Sequence, residues 1–259
     1  MRPTFLLSCI AALFLAGASL SADAASRLEE IRNRGTLRVG TTGDYAPFTL
    51  HDSATHDLTG FDIDQARSLA ASLGVAVVFV DTTWKSLAAD LAADRFDIAM
   101  GGVSITADRA AAGAFSEPYV HDGKTPIARC ADAGRYDTIA QIDRPETRVV
   151  VNPGGTNERF ARRNFPAAQI QVVPDNRLVF DEIAQGRADV MVTDASETRY
   201  QARRHPGVLC AVHPDKPFDS FDKAYLFAKD DAFAAAVDGW MKASRADGSF
   251  AARAARWLD

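Results

Sequence analysis

The stretch ADVMVTDASE, residues 188–197, is a short apolar run that ends abruptly in polar side chains. A strand over its first half would carry Thr193, Asp194 and Glu197 to its carboxyl end, where ligands bind in an open α/β sheet. The same letters also fit a helix start, with Thr193 or Asp194 as the cap and Glu197 completing a capping box. The local sequence leaves both interpretations open.

A second stretch, DRFDIAMGGVSIT at residues 94–106, has the same pattern and ends in Ser104 and Thr106. Two strand ends of this kind predict two lobes that face one cleft. Arg109 follows one turn later, where a guanidinium could hold a ligand carboxylate in a bidentate fork beside the spare amides of a helix start. The alternative for Arg109 is a solvated helix face.

The first residues predict export. Arg2 precedes an apolar segment over residues 5–20, and small residues then lead to Ala24. This is the pattern of a signal peptide over residues 1–24. Cys9 lies inside the apolar segment with too little hydrophobic sequence ahead of it for a lipoprotein signal, so we expect no lipid anchor.

The formal net charge of the chain is −5, and loss of residues 1–24 removes one Arg and one Asp and leaves it unchanged. A mildly acidic protein of this kind is a poor partner for nucleic acid or for an anionic membrane. No segment after the signal peptide is apolar for long enough to cross a bilayer.

Two cysteines follow the signal peptide, Cys130 and Cys210, and an even pair in an exported protein predicts a disulfide. Zinc needs ligands at short spacings, and the remaining candidates are scattered. These candidates are the five histidines His51, His56, His121, His205 and His213. We therefore expect no metal and no other cofactor.

The first half of the chain alternates strands with helices. TLRVGTTGDYAPF (36–48) predicts a strand that runs into a turn from which Asp44 and Tyr45 project, with loop packing as the alternative for Tyr45. A helix over 60–73 is followed by VAVVFVD (75–81), which predicts a buried strand. With a helix that carries Trp84 near its start, this alternation predicts a parallel, doubly wound sheet.

The second half repeats the alternation after a crossing at residues 121–130. NPGGTNERF (152–160) predicts a Gly-rich turn that enters a helix near Thr156 and offers backbone N–H groups to an anion. It is not a Walker motif, because no Gly-Lys-Ser/Thr follows. A return crossing is predicted at 221–231, and the helices over 232–258 should pack back on the first lobe.

The segments GTTGDYAPF, GFDIDQA, FSEPY and ADVMVTD, with the SIT segment and Arg109, resemble the periplasmic amino-acid-binding proteins of ABC importers. The resemblance implies a type II binding-protein fold with two hinge crossings and a ligand cleft between the lobes. Lobe 1 would comprise residues 25–125 and 224–259, and lobe 2 residues 126–223. In that family the Arg at the position of Arg109 grips an α-carboxylate, and the Asp at the position of Asp194 takes the α-amino group.

The segments NPGGTNERFAR and CAVHP and the Glu197 position are similar to a family of exported enzymes on the same fold, the cyclohexadienyl dehydratases. This resemblance implies a periplasmic carbon-oxygen lyase that acts on prephenate and arogenate without a permease partner. Cys130 and Cys210 fall where that family has its cysteines. Ser196 departs from the family, which carries an apolar residue there, and puts fine substrate preference in doubt.

The implied chemistry needs one acid, because the substrates become aromatic by losing carbon dioxide and a ring hydroxyl that leaves readily only when protonated. A carboxylic acid can supply that proton near neutral pH if desolvation raises its pKa. Glu197 is the candidate, and Arg109 and Lys124 are candidates for holding substrate carboxylates. The remaining predicted substrate contacts are Asp44, Tyr45, Trp84, Ser104, Thr106, Asn152, Thr156 and Asp194.

A non-enzymatic amino-acid-binding protein of an ABC importer is the alternative, because it shares every feature of the fold. The discriminating feature would be a protonatable Glu197 in the cleft beside Asn152 and Thr156.

Overall fold

The computed structural model describes residues 25–52, 54–55 and 57–258. The predicted signal peptide and Cys9 lie outside these residues. Among the described helices, none has both the length and the hydropathy that a bilayer span requires.

The helices follow strong local signals: Ser26 caps the first with a full capping box, and Gly74 ends the second in the left-handed conformation. The described helices are α1 (Arg27–Arg34), α2 (Phe61–Leu73), α3 (Leu87–Ala92), α4 (Ala107–Ala112), α5 (Ile139–Ile142), α6 (Thr156–Asn164), α7 (Val179–Ala184), α8 (Ala195–Arg204), α9 (Asp231–Ala246) and α10 (Ser249–Trp257).

The strands are short, and none of those described is longer than six residues. The described strands are β1 (Thr36–Thr41), β2 (Asp44–Tyr45), β3 (Thr49–His51), β4 (Leu58–Thr59), β5 (Ala76–Asp81), β6 (Ile98–Ala99), β7 (Ala114–Phe115), β8 (Val120–Asp122), β9 (Lys124–Arg129), β10 (Arg148–Val151), β11 (Gln169–Val172), β12 (Val190–Asp194), β13 (Leu209–Ala211), β14 (Phe221–Lys223) and β15 (Leu226–Phe227).

The sheet of the first lobe has the order β5-β1-β6-β15-β7. Strand β1 is parallel to β5 and β6, which confirms the parallel alternation, and β15 pairs antiparallel to β6 and β7. The sequence prediction of a buried strand at VAVVFVD was wrong. Strand β5 is the edge of the sheet, so its side chains alternate in exposure and Val78 is 45% exposed.

The sheet of the second lobe has the order β11-β10-β12-β9-β13. The chain crosses between the lobes twice, in β8 and β14, which pair antiparallel with Phe221 opposite Asp122. The two-lobed fold with two hinge crossings is thereby confirmed. Strand β9 of the second sheet begins at Lys124, slightly before the expected change of lobe at residue 125, and the lobe boundaries stay a prediction.

Each lobe has its own apolar core. In the first, Leu37 and Val39 of β1 pack with Trp240 of α9, and Phe250 of α10 meets Phe61 at a ring-centroid distance of 5.5 Å. The expectation that the last helices pack on the first lobe is therefore confirmed. In the second, Val149 and Val151 of β10 share a cluster with residues of α6 and β12.

The predicted disulfide is confirmed: Cys130, just after β9, is bonded to Cys210 in β13. It joins residues 80 apart in sequence, and in the chain-entropy model a loop of that length gives a stabilisation of ~4 kcal/mol. The bond lies within the second lobe, so it stabilises that lobe without crossing the cleft.

Candidate active site

The stretch 188–197 forms both of the structures that the sequence allowed. Strand β12 ends at Asp194, and α8 begins at the next residue. Asp194 occupies the cap position of the helix, but its side chain makes no capping hydrogen bond and turns to two lysines instead. The strand end is thus the functional feature, and the capping box of the alternative interpretation does not form.

A small cavity lies at the carboxyl ends of the strands, between the lobes. Gly102, Gly155 and Asn157 form part of its wall. Seven of the predicted substrate contacts also line it: Tyr45, Trp84, Ser104, Arg109, Asn152, Thr156 and Asp194. The structure therefore gathers residues from both lobes, separated by up to 149 positions in sequence, around one space.

Three of the predicted residues lie beside this cavity rather than in its lining. Thr106 caps α4 by accepting from the Arg109 backbone N–H at 3.4 Å, and with Lys124 it borders an adjoining cavity. Asp44 accepts a hydrogen bond from Trp84 Nε1 at 3.1 Å. These positions leave the proposed substrate contacts of Thr106, Lys124 and Asp44 as predictions.

Asp194 is the centre of a buried ion cluster. Its Oδ1 accepts from Lys124 Nζ, and its Oδ2 accepts from Lys223 Nζ and from the Tyr45 hydroxyl. Burial alone would raise the pKa of Asp194, but the two ammonium groups hold it well below its usual range. Asp194 is therefore a carboxylate at any physiological pH, with three donors already in place.

Lys124 is 2% exposed, and its ammonium group donates to three protein atoms. These are Thr156 Oγ1 at 2.9 Å, Asn157 Oδ1 and Asp194 Oδ1. An ammonium has three donors, so each is used. Burial lowers the pKa of Lys124, while the charge of Asp194 raises it. A direct bond from Lys124 to a substrate anion would have to replace one of these contacts.

Sequence reasoning missed two members of the site, Lys223 and Asn157. Lys223 is fully buried in the hinge strand β14, with its Nζ 3.1 Å from the Tyr45 hydroxyl. A lysine within the apolar segment FDKAYLF is the signal that could have indicated it. Asn157 lies in the NPGGTNERF motif, one residue after the predicted substrate contact Thr156.

Arg109 is 6% exposed, so the interpretation as a solvated helix face was wrong. Its Nη1 donates to the Ser104 carbonyl at 2.9 Å, and its guanidinium lies 5.6 Å from the ring centre of Trp84. Burial lowers the pKa of Arg109 to about 10, and the charge of Arg159 acts in the same direction. A buried cation that remains charged at neutral pH and lines a cavity is suited to bind an anion.

Glu197 is 1% exposed and, unlike Asn152 and Thr156, is not one of the residues that line the cavity. Its Oε2 accepts from the Thr193 hydroxyl at 2.6 Å, and Thr193 in turn contacts the cavity-lining Asn157. Its Oε1 is buried without a hydrogen-bond partner among the residues that the structure describes. Burial raises the pKa of Glu197 to about 8; the Thr193 hydroxyl opposes the rise and the charge of Asp194 adds to it. At neutral pH this carboxyl is a proton donor.

No group of three or more His, Cys, Asp or Glu side chains within the described part of the chain is arranged to hold a metal ion. The described site residues that can take part in chemistry are an acid, several cations and two aromatic rings.

Comparisons with known proteins agree with this geometry. The profile of the bacterial extracellular solute-binding proteins, family 3, matches residues 37–259. The chain is 49% identical to the cyclohexadienyl dehydratase of Pseudomonas aeruginosa over 253 residues, covering 98% of this chain and 92% of that protein. It is 29% identical to a probable amino-acid ABC transporter-binding protein of Haemophilus influenzae, covering 93% of this chain and 90% of that protein.

Among solved structures, the chain resembles an ancestral amino-acid-binding protein described as a precursor of cyclohexadienyl dehydratase. The TM-score is 0.83 at 36% identity, with 90% of this chain and all of the other covered. An ancestral cyclohexadienyl dehydratase gives a TM-score of 0.57 at 51% identity, with 91% of this chain and 98% of the other covered.

Proposed function

The chain belongs to the bacterial extracellular solute-binding proteins of family 3, and we propose that within this family it is a periplasmic cyclohexadienyl dehydratase. It would convert prephenate to phenylpyruvate and arogenate to phenylalanine, as a carbon-oxygen lyase. The similarity to a dehydratase over nearly the whole chain supports an enzyme rather than a carrier alone. Export through the predicted signal peptide would place the reaction in the periplasm.

The observation that carries the proposal is the protonated, buried Glu197, which Thr193 links by hydrogen bonds to Asn157 in the wall of the cavity that Arg109 also lines. An acid with a pKa of about 8 holds its proton at neutral pH and can still release it to a leaving group. A carrier gains nothing from such an acid, because a buried carboxyl with an unpartnered oxygen reduces stability.

In the proposed reaction Glu197 transfers its proton to the ring hydroxyl, and the C–O bond breaks as water leaves. The bond between the ring and its carboxylate also breaks, its electron pair completes the aromatic ring, and carbon dioxide is released. Prephenate, a dianion, thus consumes one proton and gives water, carbon dioxide and the phenylpyruvate anion.

Arg109 would bind the side-chain carboxylate and thereby position the ring. An ion pair tight on the ring carboxylate would oppose the reaction, because that group must lose its charge as carbon dioxide forms. Trp84 and Tyr45, which line the same cavity at a ring-centroid distance of 5.4 Å, supply apolar surface for the ring.

The alternative function, transport-type binding of an amino acid, is less well supported by the Asp194 cluster. In the related binding proteins an Asp at this position is expected to take the α-ammonium. Here both oxygens of Asp194 already accept hydrogen bonds, two of them from ammonium groups. A free amino acid would bring a third cation to the same carboxylate, and so would the amino group of arogenate, so the cluster favours prephenate as the substrate.

The direct test is to incubate the purified protein without residues 1–24 with prephenate at neutral pH and to follow phenylpyruvate formation. The expected result is turnover that depends on protein concentration, with phenylalanine formed from arogenate in a parallel reaction. The matched control is Glu197→Gln. No product above the protein-free rate, together with tight calorimetric binding of an amino acid, would support the carrier instead.

A further inference from the structure

Four buried side chains form a continuous hydrogen-bonded chain behind the cavity wall: Lys124, Asn157, Thr193 and Glu197. Each is 6% exposed or less. Because these side chains are almost completely buried and bond to one another, the direction of each hydrogen bond is fixed by its neighbours. The direction can be followed from the lysine to the acid.

The chain starts at a group that can only donate. Lys124 Nζ donates to Asn157 Oδ1, so the amide group of Asn157 must turn its Nδ2 the other way. There Nδ2 donates to Asn152 Oδ1 at 3.2 Å and to Thr193 Oγ1 at 3.0 Å. The ammonium thereby fixes the orientation of the amide.

The amide in turn fixes the hydroxyl. Thr193 Oγ1 accepts from Asn157, so its own hydrogen is directed to Glu197 Oε2 at 2.6 Å. The reverse arrangement, with a proton on Oε2 donating to Thr193, would leave the threonine hydrogen facing a donor and without an acceptor. A buried hydroxyl hydrogen without an acceptor is unfavourable, so Oε2 acts as the carbonyl-type oxygen of the acid.

We propose that Asn157 and Thr193 are positioning residues that confine the acidic proton of Glu197 to Oε1, the oxygen that gives it up. Oε1 is the atom of this carboxyl for which the described residues supply no partner. The acceptor would then be the leaving hydroxyl of the substrate. This inference rests on the proposed dehydratase function for its kinetic consequences, but the location of the proton can be measured without turnover.

The first test removes the hydroxyl with little change of shape, in Thr193→Val. Without the donor to Oε2 the carboxyl loses its fixed orientation and either oxygen can carry the proton, so kcat for prephenate at pH 7 should fall by about tenfold or more. KM should stay within about twofold, because Thr193 does not line the cavity. Thr193→Ser restores the hydroxyl and should return kcat to within about threefold of the wild type.

The matched control is Thr198→Val, on the same helix as Glu197. Thr198 is also fully buried, and its hydroxyl forms a 3.0 Å hydrogen bond with Thr125, away from Glu197. Deleting it measures the general effect of losing a buried hydroxyl. Equal losses of kcat in Thr193→Val and Thr198→Val would overturn the proposal.

The pH profile gives a second readout that a merely structural role would not move. The Thr193 hydroxyl stabilises the ionised carboxylate and so lowers the pKa of Glu197. In Thr193→Val the high-pH decline of kcat/KM should therefore shift to higher pH, and in Thr198→Val it should not. An unmoved decline in Thr193→Val contradicts the proposal.

Infrared spectroscopy separates this inference from the proposed function. The carbonyl band of protonated Glu197 is identified at pH 7 by its loss in Glu197→Gln. Thr193→Val should move that band to higher frequency, since the carbonyl oxygen loses its hydrogen bond. A shift in a protein that does not turn over prephenate would reject the dehydratase and keep the proton placement. An unmoved band in an active enzyme would reject the placement. If Thr193→Val does not fold, Asn157→Leu breaks the chain one step earlier, and the same band should shift.

Discussion

Asp194 and Glu197 lie three residues apart at the start of one helix, and both are almost completely buried, yet their protonation is opposite. Asp194 has Lys124 and Lys223 against it, and its pKa is held well below its usual range. Glu197 has a neutral hydroxyl against it, and burial raises its pKa to about 8. Two carboxyls with pKa values pushed apart are the arrangement that allows one to serve as an acid.

The cations of the site divide in the same way. Lys124 and Lys223 both pair with Asp194, and Lys223 also lies 3.7 Å from Asp122, whereas Arg109 donates to a backbone carbonyl and faces the cavity. The paired groups satisfy one another and fix the shape of the site across the hinge. Arg109 keeps its positive charge available for a ligand, and Glu197 keeps its proton available. Variants can test this division between the structural Asp194 cluster and the chemical groups Arg109 and Glu197.

The largest expected effect is on turnover in Glu197→Gln. The glutamine keeps the size of the side chain and can accept from Thr193, but it has no proton to give. General acid catalysis contributes ~10² to 10⁴-fold, so kcat for prephenate should fall by that factor while calorimetry still detects binding. Wild-type turnover should itself fall as the pH rises through about 8, where Glu197 loses its proton. Near-normal turnover in the variant would place the acid elsewhere.

The second effect is on stability, in Asp194→Asn. This change removes the carboxylate paired with Lys124 and one of the two that face Lys223, whose Nζ also lies 3.7 Å from Asp122; breaking a buried ion pair in this way costs ~3 to 5 kcal/mol. Urea unfolding should show the loss. The control is Asp215→Asn, which breaks an exposed ion pair with Arg199 and should leave the unfolding free energy nearly unchanged. Similar results for the two variants would mean that the Asp194 cluster is not structural.

The third effect is on binding, in Arg109→Ala. Losing a charged contact to a buried carboxylate costs ~2 to 5 kcal/mol, so the affinity for prephenate should fall at least tenfold. Arg135→Ala, at an exposed arginine of the second lobe, is the control and should not change it. An unchanged KM in Arg109→Ala would show that the unpaired cation has no role in binding.

Much of the fold is predictable because its signals are local. Apolar runs, the Ser26 capping box and the Gly74 stop define strands and helices within a few residues. The edge position of β5 was not predictable, because it depends on which strands neighbour it in the sheet, and no local pattern states the order of the strands.

The site residues also differ in whether local sequence signals can identify them. Asp194, Glu197 and Arg109 follow strand ends, so sequence reasoning could find them. Lys223 reaches Asp194 only because β14 crosses the hinge, which the local sequence does not show. Likewise Lys124 was predicted as an anion contact, but the structure shows that its three donors already have protein partners.

The remaining effect is the pH dependence of stability that Glu197 imposes. Its pKa is 4.5 in a model peptide and about 8 in the folded protein, so between these values the folded state holds a proton that the unfolded state has released. The unfolding free energy contributed by this group is therefore complete below pH 4.5 and falls as the pH rises toward 8, by at most about 1.4 kcal/mol per pH unit.

Glu197→Gln removes this term, so the unfolding free energy of the variant minus that of the wild type should increase from pH 5 to pH 8 and then level off. Asp62, which burial gives a pKa of about 6, contributes equally to both proteins and cancels in the difference. Urea titrations of the two proteins at one-unit pH intervals provide the measurement. A difference that stays constant across this range would mean that Glu197 is ionised in the folded protein, and the contrast with Asp194 would disappear.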